Sequence, residues 1–357
     1  MALRLYTDEQ ILPAGVPHVP LLVPFMGPID PPESPEHARF DRYVEVARTL
    51  FTMSSLVECD VAVLPFGWEN VFADRALEQR AQRFADRAQR AGKRLLVFCE
   101  SDSAAPIPLE GALVFRTSLY DSLRAANEFA MPAWSGDLSL LRPTATVPLR
   151  HDGRPVVGFM GQAKRPSLTF LRNVRLELRA WVGQDCGEPA WAVRDLHAAV
   201  RAQAIRLLQE SPAIDARISL RDGFAGGSLR DDGSFDWEAL RRVRRQFVDN
   251  ADSCDYLLCV RGAGNFSYRF YETMCLGRIP LFVNTDCVLP FQDVVDWRSR
   301  MVWVEAESLA TLPDRVVAFE RKIDDEARAE LQAGARSAWE QWLSPEGFFA
   351  KLVEYFP

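Results

Sequence analysis

The sequence predicts an α/β protein with two domains, each built on a parallel β-sheet with helices on both faces. The chain has 357 residues, more than one compact hydrophobic core usually organises. Short apolar runs typical of buried strands alternate with amphipathic helical patterns along most of its length. A segment with prolines and a glycine, residues 139–154, interrupts this alternation. We therefore expect the two domains to separate there.

The first domain begins with an irregular segment and continues with alternating strands and helices. Proline recurs between residues 13 and 35, which excludes long helices there. In this segment Gly27 and Asp30 belong either to a binding cleft or to a plain connecting loop. The predicted strands cover residues 3–6, 61–64, 95–98 and 113–115, the predicted helices cover 38–51 and 77–88, and residues 131–134 close the domain.

Polar residues follow two of these strands. Trp68 and Glu69 come after the second strand, and Glu100, Ser101 and Asp102 come after the third. In open α/β sheets, ligands bind at the carboxyl ends of the strands. Trp68, Glu69 and Asp102 are therefore candidate ligand-binding residues. A buried tryptophan beside a surface glutamate is the alternative interpretation.

The second domain restarts with an apolar strand, residues 156–160, followed by Gly161 and the basic pair Lys164 and Arg165. Glycine permits close approach of the backbone to a ligand, and a guanidinium group binds phosphate well. A turn with two exposed bases is the alternative. Predicted helices then cover residues 168–181, 191–208 and 237–247, predicted strands cover 217–220 and 301–304, and residues 222–236 form a polar loop.

The most informative stretch of the second domain is a strand–loop–helix–strand unit. The strand covers residues 256–260, the helix runs from about Asn265 to Leu276 and ends at Gly277, and a second strand covers 279–283. The loop holds Arg261, Gly262 and Gly264 and opens onto the helix N-terminus. Free N–H groups and the helix dipole favour anions there, and Arg261 adds a forked donor.

Polar side chains share one stripe of this helix. Asn265, Arg269 and Glu272 are spaced i, i+4 and i+7. A carboxylate two turns from a phosphate-binding helix start is well placed to bond ribose hydroxyls. A surface ion pair between Arg269 and Glu272 is the alternative, and such pairs add little stability. Asp286 follows the next strand and is a further candidate.

The domain limits follow from these patterns. We expect an N-terminal domain over residues 1–148, a second domain over 149–340, and a C-terminal helix over 341–357. The helix begins after Ser344, because serine caps a helix and the following Pro345 suits its first position.

The central unit resembles a known family. The segments RGAGNFSYRFYE (residues 261–272), GRIP (277–280) and TDCVLP (285–290) resemble the exostosin-type glycosyltransferases, especially their bacterial members. That resemblance implies a GT-B fold, in which two Rossmann-like domains face a central cleft and the C-terminal helix crosses back to the N-terminal domain. Residues 58–65 are a weaker match, and the rest of the N-terminal half matches faintly.

The resemblance also implies an activity and a site. It implies an inverting glycosyltransferase whose second domain binds a nucleotide-sugar donor, a UDP-sugar by preference. The expected donor-binding residues are Gly161, Arg165, Arg261, Gly262, Gly264, Asn265, Phe266, Ser267, Arg269 and Glu272. The reaction needs a base for the acceptor proton, and Glu69, Asp102 and Asp286 remain open candidates. Arginines and N–H groups would stabilise the leaving diphosphate, and because no aspartate-rich metal motif is visible we expect no metal or other cofactor.

The expected partners are the nucleotide sugar and a glycan or lipid-linked glycan acceptor in bacterial surface polysaccharide synthesis. A net charge of −7 argues against nucleic-acid binding. Seven cysteines without a CxxC pair suit a reducing compartment. No signal peptide or membrane-spanning run is visible. We therefore expect a cytoplasmic protein, with peripheral contact at the cytoplasmic face of the inner membrane as a further option.

Two other functions remain open. One is a fucosyltransferase-like GT-B enzyme that uses a GDP-sugar. The other is a non-catalytic nucleotide- or glycan-binding protein on the same fold.

Overall fold

The chain forms two compact units. The computed structural model describes residues 2–72, 74–142, 153–163, 195–221, 223–230 and 232–353. Unit 1 comprises Met1–Gly136, Val288–Gln292 and Trp339–Pro357, and unit 2 comprises Asp137–Cys287 and Asp293–Ala338. The first division therefore falls before the boundary expected after residue 148.

Two ion pairs explain why residues 137–142 belong to unit 2. Arg336 Nη2 donates to Asp137 Oδ2 at 2.7 Å, and Arg142 Nη2 donates to Asp252 Oδ1 at 2.7 Å. All four side chains are mostly buried, so these charges hold the segment to the second sheet's helices.

Unit 1 contains a six-stranded parallel sheet in the order β2-β1-β3-β4-β5-β6. The strands are β1 Leu3–Tyr6, β2 Phe51–Met53, β3 Val61–Val63, β4 Arg94–Cys99, β5 Ala112–Arg116 and β6 Glu128–Ala130. The helices between them are α1 Val23–Met26, α2 Asp41–Leu50 and α3 Arg75–Arg90. The predicted α/β class with parallel strands is confirmed.

Helix α3 shows how the sequence sets a boundary and a buried face. Asp74 caps the helix, because its Oδ1 accepts the N–H groups of Ala76 and Leu77. Leu77, Ala81 and Phe84 recur at helical spacing and are buried in the core of unit 1.

Strand β2 was not predicted, because the helical pattern appeared to continue to Phe51. The helix ends at Leu50, and Phe51 pairs in parallel with Leu3. The Phe51 ring is fully buried and lies edge-on to Tyr43. Burial of this ring and the backbone pairing with β1 favour a strand over one more helical turn.

Unit 2 contains a five-stranded parallel sheet in the order β11-β10-β9-β7-β8. The strands are β7 Val156–Gly161, β8 Asp215–Leu220, β9 Tyr256–Cys259, β10 Ile279–Asn284 and β11 Val302–Glu305. The helices are α4 Asp195–Glu210, α5 Trp237–Asp252, α6 Tyr268–Cys275, α7 Leu312–Glu320 and α8 Asp325–Ala338. The expected helix over residues 168–181 lies outside the described residues.

The last helix, α9 Pro345–Leu352, packs within unit 1, as predicted. Ser344 caps it, with Oγ accepting the Gly347 N–H at 3.1 Å. Phe348 and Phe349 are fully buried, and their rings lie 5.4 and 5.2 Å from Trp134. The C-terminal residues therefore complete the core of the N-terminal sheet.

The described cysteines are buried free thiols: Cys59, Cys99, Cys254, Cys259, Cys275 and Cys287. Burial raises the pKa of the Cys99 thiol to about 12, so it stays protonated and packs as a small apolar group. Among the described helices, none combines the length and apolar character that a bilayer crossing requires.

Candidate functional site

The strand order of unit 2 reverses between β7 and β9. Strand β8 lies on one side of β7, whereas β9, β10 and β11 follow on the other. Ligands of doubly wound sheets bind outside the carboxyl ends of the strands at such a reversal. Gly161 ends β7, and Arg261 lies just beyond β9, so the topology brings these two predicted donor-binding residues to one edge.

Arg201, on α4, ties the two strand ends together. Its Nη1 donates to the carbonyl oxygen of Gln162 at 2.8 Å, and its Nη2 donates to that of Arg261 at 2.6 Å. A Cβ atom on Gly262 would lie 3.2 Å from Arg201 Nη2. Gly262 therefore makes room for this guanidinium group.

Two further guanidinium groups converge on Met160, near the end of β7. Arg269 Nε donates to the Met160 carbonyl oxygen at 2.9 Å, and Arg221 Nη2 lies 3.2 Å from the Met160 sulfur. Burial and the nearby Arg269 charge lower the pKa of Arg221. In the described part of the chain Arg221 has no carboxylate partner; its other side-chain bond is to the neutral amide of Gln246. This edge is therefore cationic.

Glu272 is the carboxylate within this group. It is buried and pairs with Arg269 one helical turn earlier on α6. Arg244, on α5, interacts electrostatically with both Glu272 and Arg269. Burial lowers the pKa of Arg244, the Glu272 charge raises it, and the Arg269 charge lowers it. The Arg269 guanidinium carbon also lies 4.2 Å from the Phe247 ring centre, which fixes the arginine between an aromatic face and a carboxylate.

Arg261 organises the loop after β9 from a buried position. It is 3% exposed, and its Nη1 donates to Asn265 Oδ1 at 2.9 Å while its Nη2 donates to the Ala263 carbonyl oxygen at 3.0 Å. Asn265 Oδ1 also accepts the Thr285 hydroxyl at 2.7 Å, and Asn265 Nδ2 donates to the Asp286 carbonyl oxygen at 3.0 Å.

These contacts correct the expected start of the helix. Asn265 and Phe266 were placed on it, but α6 begins at Tyr268, with Ser267 as the N-cap. The Asn265 side chain hydrogen-bonds to Arg261 before it and to Thr285 and Asp286 in a later loop, and does not cap the helix. Arg269 and Glu272 are on the helix as expected, whereas Asn265, Gly264 and Phe266 lie in the loop. Arg165 and Lys164 lie outside the described residues.

Unit 1 has a second candidate site at the carboxyl ends of β3 and β4, beside the reversal of strand order between β1 and β3. A cavity of about 190 Å³ opens there. It is lined by Pro17, His18, Val19, Pro20, Ile29, Asp30, Arg39, Gly67, Glu69, Phe98 and Glu100. Glu69, a candidate base from the sequence, therefore lies in a cavity.

Glu69 is held by the main chain of the next strand. Its Oε2 accepts the Glu100 N–H at 2.9 Å, and its Oε1 accepts Asn70 Nδ2 at 3.1 Å. A Cβ atom on Gly67 would lie 1.9 Å from Glu69 Oε1, so only glycine leaves space for this carboxylate. Burial raises the pKa of Glu69 despite these hydrogen bonds.

Glu100 has the more strongly shifted pKa. Burial raises it to about 7; Arg39 lowers it, and Glu69 and Asp30 raise it. A carboxyl group that titrates near neutrality in a cavity is suited to proton transfer.

The other two candidate bases lie elsewhere. Asp102 is exposed in the turn after β4, and it does not line the cavity. Asp286 follows β10 with a φ of 62°, a left-handed conformation that is uncommon outside glycine. Its carbonyl oxygen is used by Asn265.

Sequence reasoning placed Glu100 in a polar cluster without selecting it as a candidate, and it did not select Arg201, Arg221 or Arg244. Two of these carried a usable signal, because Glu100 and Arg221 each directly follow a strand in the sequence. Arg201 and Arg244 lie on helices, where only tertiary structure shows which arginines reach the sheet edge. Within the described ranges, no group of three or more histidine, cysteine, aspartate or glutamate residues is placed to hold a metal ion.

Comparison with known proteins gives one clear relationship. Exostosin-1 of Drosophila melanogaster is 28% identical over 134 residues, and the Exostosin-1 homolog of Caenorhabditis elegans is 27% identical over 115 residues. The chain is therefore similar to these exostosins over about a third of its length.

The similarity is partial. The matched region covers 38% of this chain and 15% of the fly protein, and 32% of the chain and 27% of the nematode protein. No family model matches the chain.

Two solved structures are distantly similar to the chain. A Staphylococcus aureus TarM variant in complex with fondaparinux, alpha-GlcNAc-glycerol and UDP is 10% identical, with a TM-score of 0.37 over 83% of this chain and 55% of that one. The catalytic domain of Arabidopsis thaliana starch synthase IV, bound to ADP and acarbose, is 12% identical, with a TM-score of 0.36 over 90% of this chain and 76% of that one.

Proposed function

We propose that this exostosin-like chain is a glycosyltransferase of the GT-B type, which transfers a sugar from a nucleotide-diphosphate donor to a glycan or lipid-linked glycan acceptor. The diphosphate binds unit 2 where the strand order reverses between β7 and β9. Exostosin similarity and two doubly wound parallel sheets support this proposal.

One observation carries the placement of the donor. Arg221 and Arg269 converge on Met160 at the end of β7, and Arg221 has no acidic partner among the described residues. Two guanidinium groups that repel one another are stabilised by an anion between or beside them. A diphosphate supplies that charge in the form that guanidinium groups bind best.

The same charges suit the chemistry. In the inverting reaction that we propose, an acceptor hydroxyl oxygen attacks the anomeric carbon as the bond from that carbon to the phosphate oxygen breaks. The diphosphate leaves with the electron pair, and a base takes the hydroxyl proton. Arginines fixed in advance stabilise the developing negative charge without reorganisation.

Glu272 is proposed to bind the ribose. Its carboxylate is buried and oriented by Arg269, and a paired carboxylate keeps lone pairs that accept further hydrogen bonds. We propose UDP as the nucleotide, a cytoplasmic location with peripheral membrane contact, and a role in surface polysaccharide synthesis. A GDP-sugar is the rival donor.

A thermal-shift screen against UDP, GDP, ADP and their common sugar conjugates tests the proposal. We expect stabilisation by UDP and UDP-sugars, since a ligand that binds the folded state raises the melting temperature. Larger shifts with GDP would assign the donor to the rival class. No shift with any nucleotide would overturn the proposed function, and nucleotide binding without sugar transfer would indicate a non-catalytic binding protein.

Calorimetry on one pair of variants then locates the nucleotide. Glu272→Ala is expected to weaken UDP binding, because it removes the ribose acceptor. Glu238→Ala is the matched control, since Glu238 also pairs with an arginine on a helix of unit 2 but is exposed. Equal UDP affinity in both variants would exclude Glu272 from the site.

A further inference from the structure

The cavity in unit 1 combines apolar walls with charged groups. Pro17, Pro20, Ile29 and Phe98 supply apolar surface, and the polar lining comes from His18, Asp30, Arg39, Glu69 and Glu100. Its volume of about 190 Å³ is below the ~300–1,000 Å³ of pockets for drug-sized ligands. A space of this size suits one small polar unit, such as a single sugar residue of a longer chain.

Most of the polar groups in the cavity have protein partners. Arg39 pairs with Asp30 through two bonds of 2.7 and 3.2 Å and donates to the Trp134 carbonyl oxygen. Glu69 accepts the Glu100 N–H and the Asn70 side chain. These groups are fixed before any ligand arrives.

Glu100 differs from them. Within the described part of the chain, no side chain or backbone group donates a hydrogen bond to its carboxylate, and no ion pair holds it. A partly buried carboxylate without donors is costly, and a ligand with hydroxyl groups would supply those donors. Its position after β4 places it at the edge of the sheet where ligands of this fold bind.

We propose that Glu100 is the catalytic base of the transfer reaction and that the unit 1 cavity binds the acceptor sugar whose hydroxyl it deprotonates. This rests on the proposed glycosyltransferase function. The acceptor O–H bond breaks, its proton passes to a Glu100 carboxylate oxygen, and the acceptor oxygen forms the new bond to the anomeric carbon as the diphosphate departs.

The electrostatic surroundings of Glu100 suit this role. Burial and the nearby Glu69 and Asp30 raise its pKa, and Arg39 opposes that rise. His18 also lines the cavity. A base whose pKa lies near the working pH combines a useful ionised fraction with a strong affinity for the proton.

Glu69 is a positioning residue in this arrangement. Its Oε2 holds the Glu100 main-chain N–H at 2.9 Å, and so fixes the backbone that carries the base. Glu69 therefore acts through Glu100, and its charge contributes to the raised pKa of that group.

The test compares Glu100→Gln with Glu110→Gln, the same substitution at an exposed glutamate of unit 1. The rate of UDP release is measured with the UDP-sugar that stabilises the protein most, and p-nitrophenyl glycosides serve as acceptor probes. We expect Glu100→Gln to lower kcat by about 10²–10⁴-fold with UDP affinity unchanged, and Glu110→Gln to behave as the parent protein.

A pH profile separates a base from a structural role. The parent kcat should rise with pH through about 7, and the residual rate of Glu100→Gln should lose that rise. Glu69→Gln should lower kcat and shift the midpoint downward, because it removes a negative neighbour of Glu100.

The possible failures are distinguishable. If Glu100→Gln transfers sugar at the parent rate with the parent pH profile, this proposal is overturned and the proposed function stands. If the parent protein binds no nucleotide, the proposed function fails and the assignment of the base fails with it. Unchanged melting curves show that a rate loss in Glu100→Gln is not a folding defect.

Discussion

The two units share a strand order but differ in the charge at their carboxyl edges. If the strands of each unit are numbered from 1 in chain order, both sheets have the strand order 2-1-3-4-5, and unit 1 adds a sixth strand. The cavity of unit 1 is lined by Asp30, Glu69 and Glu100, whereas the corresponding edge of unit 2 gathers arginines around Met160 and the loop after β9.

This difference shows where function is specified in such folds. The central strands of both sheets, β3 and β4 in unit 1 and β9 and β10 in unit 2, are similar in character, because both faces are buried and almost every side chain is apolar. Residues beyond the strand ends are free of that demand and include the charged candidates: Glu69 and Glu100 in unit 1, and Arg221 and Arg261 in unit 2. One edge suits hydroxyl groups and protons, and the other suits a phosphate anion.

The largest expected effect on nucleotide affinity comes from removing the cationic character of the unit 2 edge. Arg269→Met keeps aliphatic contact with Phe247 but removes the charge and leaves Glu272 without its ion pair. We expect UDP to bind roughly 10- to 100-fold more weakly, the equivalent of one lost charge-assisted hydrogen bond. Calorimetry with UDP measures this loss.

Arg206→Met is its control, because Arg206 is an exposed arginine of α4 in the same unit. If both variants bind UDP as the parent does, the contrast between the two edges does not determine nucleotide binding.

Matched glycine substitutions sharpen the comparison. In Gly67→Ala the added Cβ would lie 1.9 Å from Glu69 Oε1, so the carboxylate must move and its Oε2 must release the Glu100 N–H. In Gly262→Ala the added Cβ would lie 3.2 Å from the end of the flexible Arg201 side chain. We expect Gly67→Ala to slow transfer roughly tenfold or more through misplacement of the carboxylates, with UDP binding retained.

Gly262→Ala should have the smaller effect and should appear in UDP affinity rather than in the acceptor step. Steady-state kinetics with separate UDP titrations distinguish the two. The reverse ranking, with Gly262→Ala the slower enzyme at saturating donor, would contradict the division of roles.

A smaller effect is expected in the pH dependence of stability. Burial raises the pKa of Glu100 from 4.5 to about 7, so the folded state holds this proton more tightly than the unfolded state. The contribution of the group to stability is therefore full below pH 4.5 and is lost as the pH rises through about 7.

Glu100→Gln removes this dependence. The melting temperature of Glu100→Gln minus that of the parent should become larger as the pH rises from 4.5 to 8. For Glu110→Gln this difference should not change with pH. Calorimetric melting curves at several pH values measure the difference. A constant offset between the Glu100→Gln and parent proteins would show that Glu100 does not titrate in this range.

The smallest expected effect is from chelation. Because arginines are proposed to stabilise the leaving diphosphate, transfer should continue at the parent rate in EDTA. If EDTA abolished transfer and manganese restored it, a metal ion would contribute to stabilising the leaving diphosphate in addition to the unit 2 arginines.

The sequence was sufficient for the fold class and for the central strand–loop–helix–strand unit. Strand β9, helix α6 and strand β10 were all expected, because their apolar patterns reflect burial that is local in the sequence. The predicted start of α6, at about Asn265, was three residues too early. The Asn265 side-chain amide hydrogen-bonds to Thr285 and Asp286 in the loop after β10, so Asn265 belongs to the loop before the helix. Contacts between loops distant in sequence leave no periodic signal.

The candidate site was only partly predictable for a related reason. Glu69 and Arg269 follow strand and helix patterns and were named as candidates from the sequence, but the choice of Glu100 over Asp102 depends on which carboxylate faces the cavity. These residues are two apart in a turn, where neither helical nor strand periodicity gives direction. Arg201 reaches the sheet edge from a helix at a sequence distance of 60 residues from Arg261.

The packing of α9 against Trp134 has a consequence for how the protein is made. Phe348 and Phe349 pack in the core of unit 1, against a sheet whose strands all lie within the first 130 residues. A ribosome therefore releases the first sheet long before the rings that cover it have been synthesised. The nascent N-terminal half must stay soluble with an uncovered aromatic face, and a fragment cut after Gly136 should need a chaperone or precipitate.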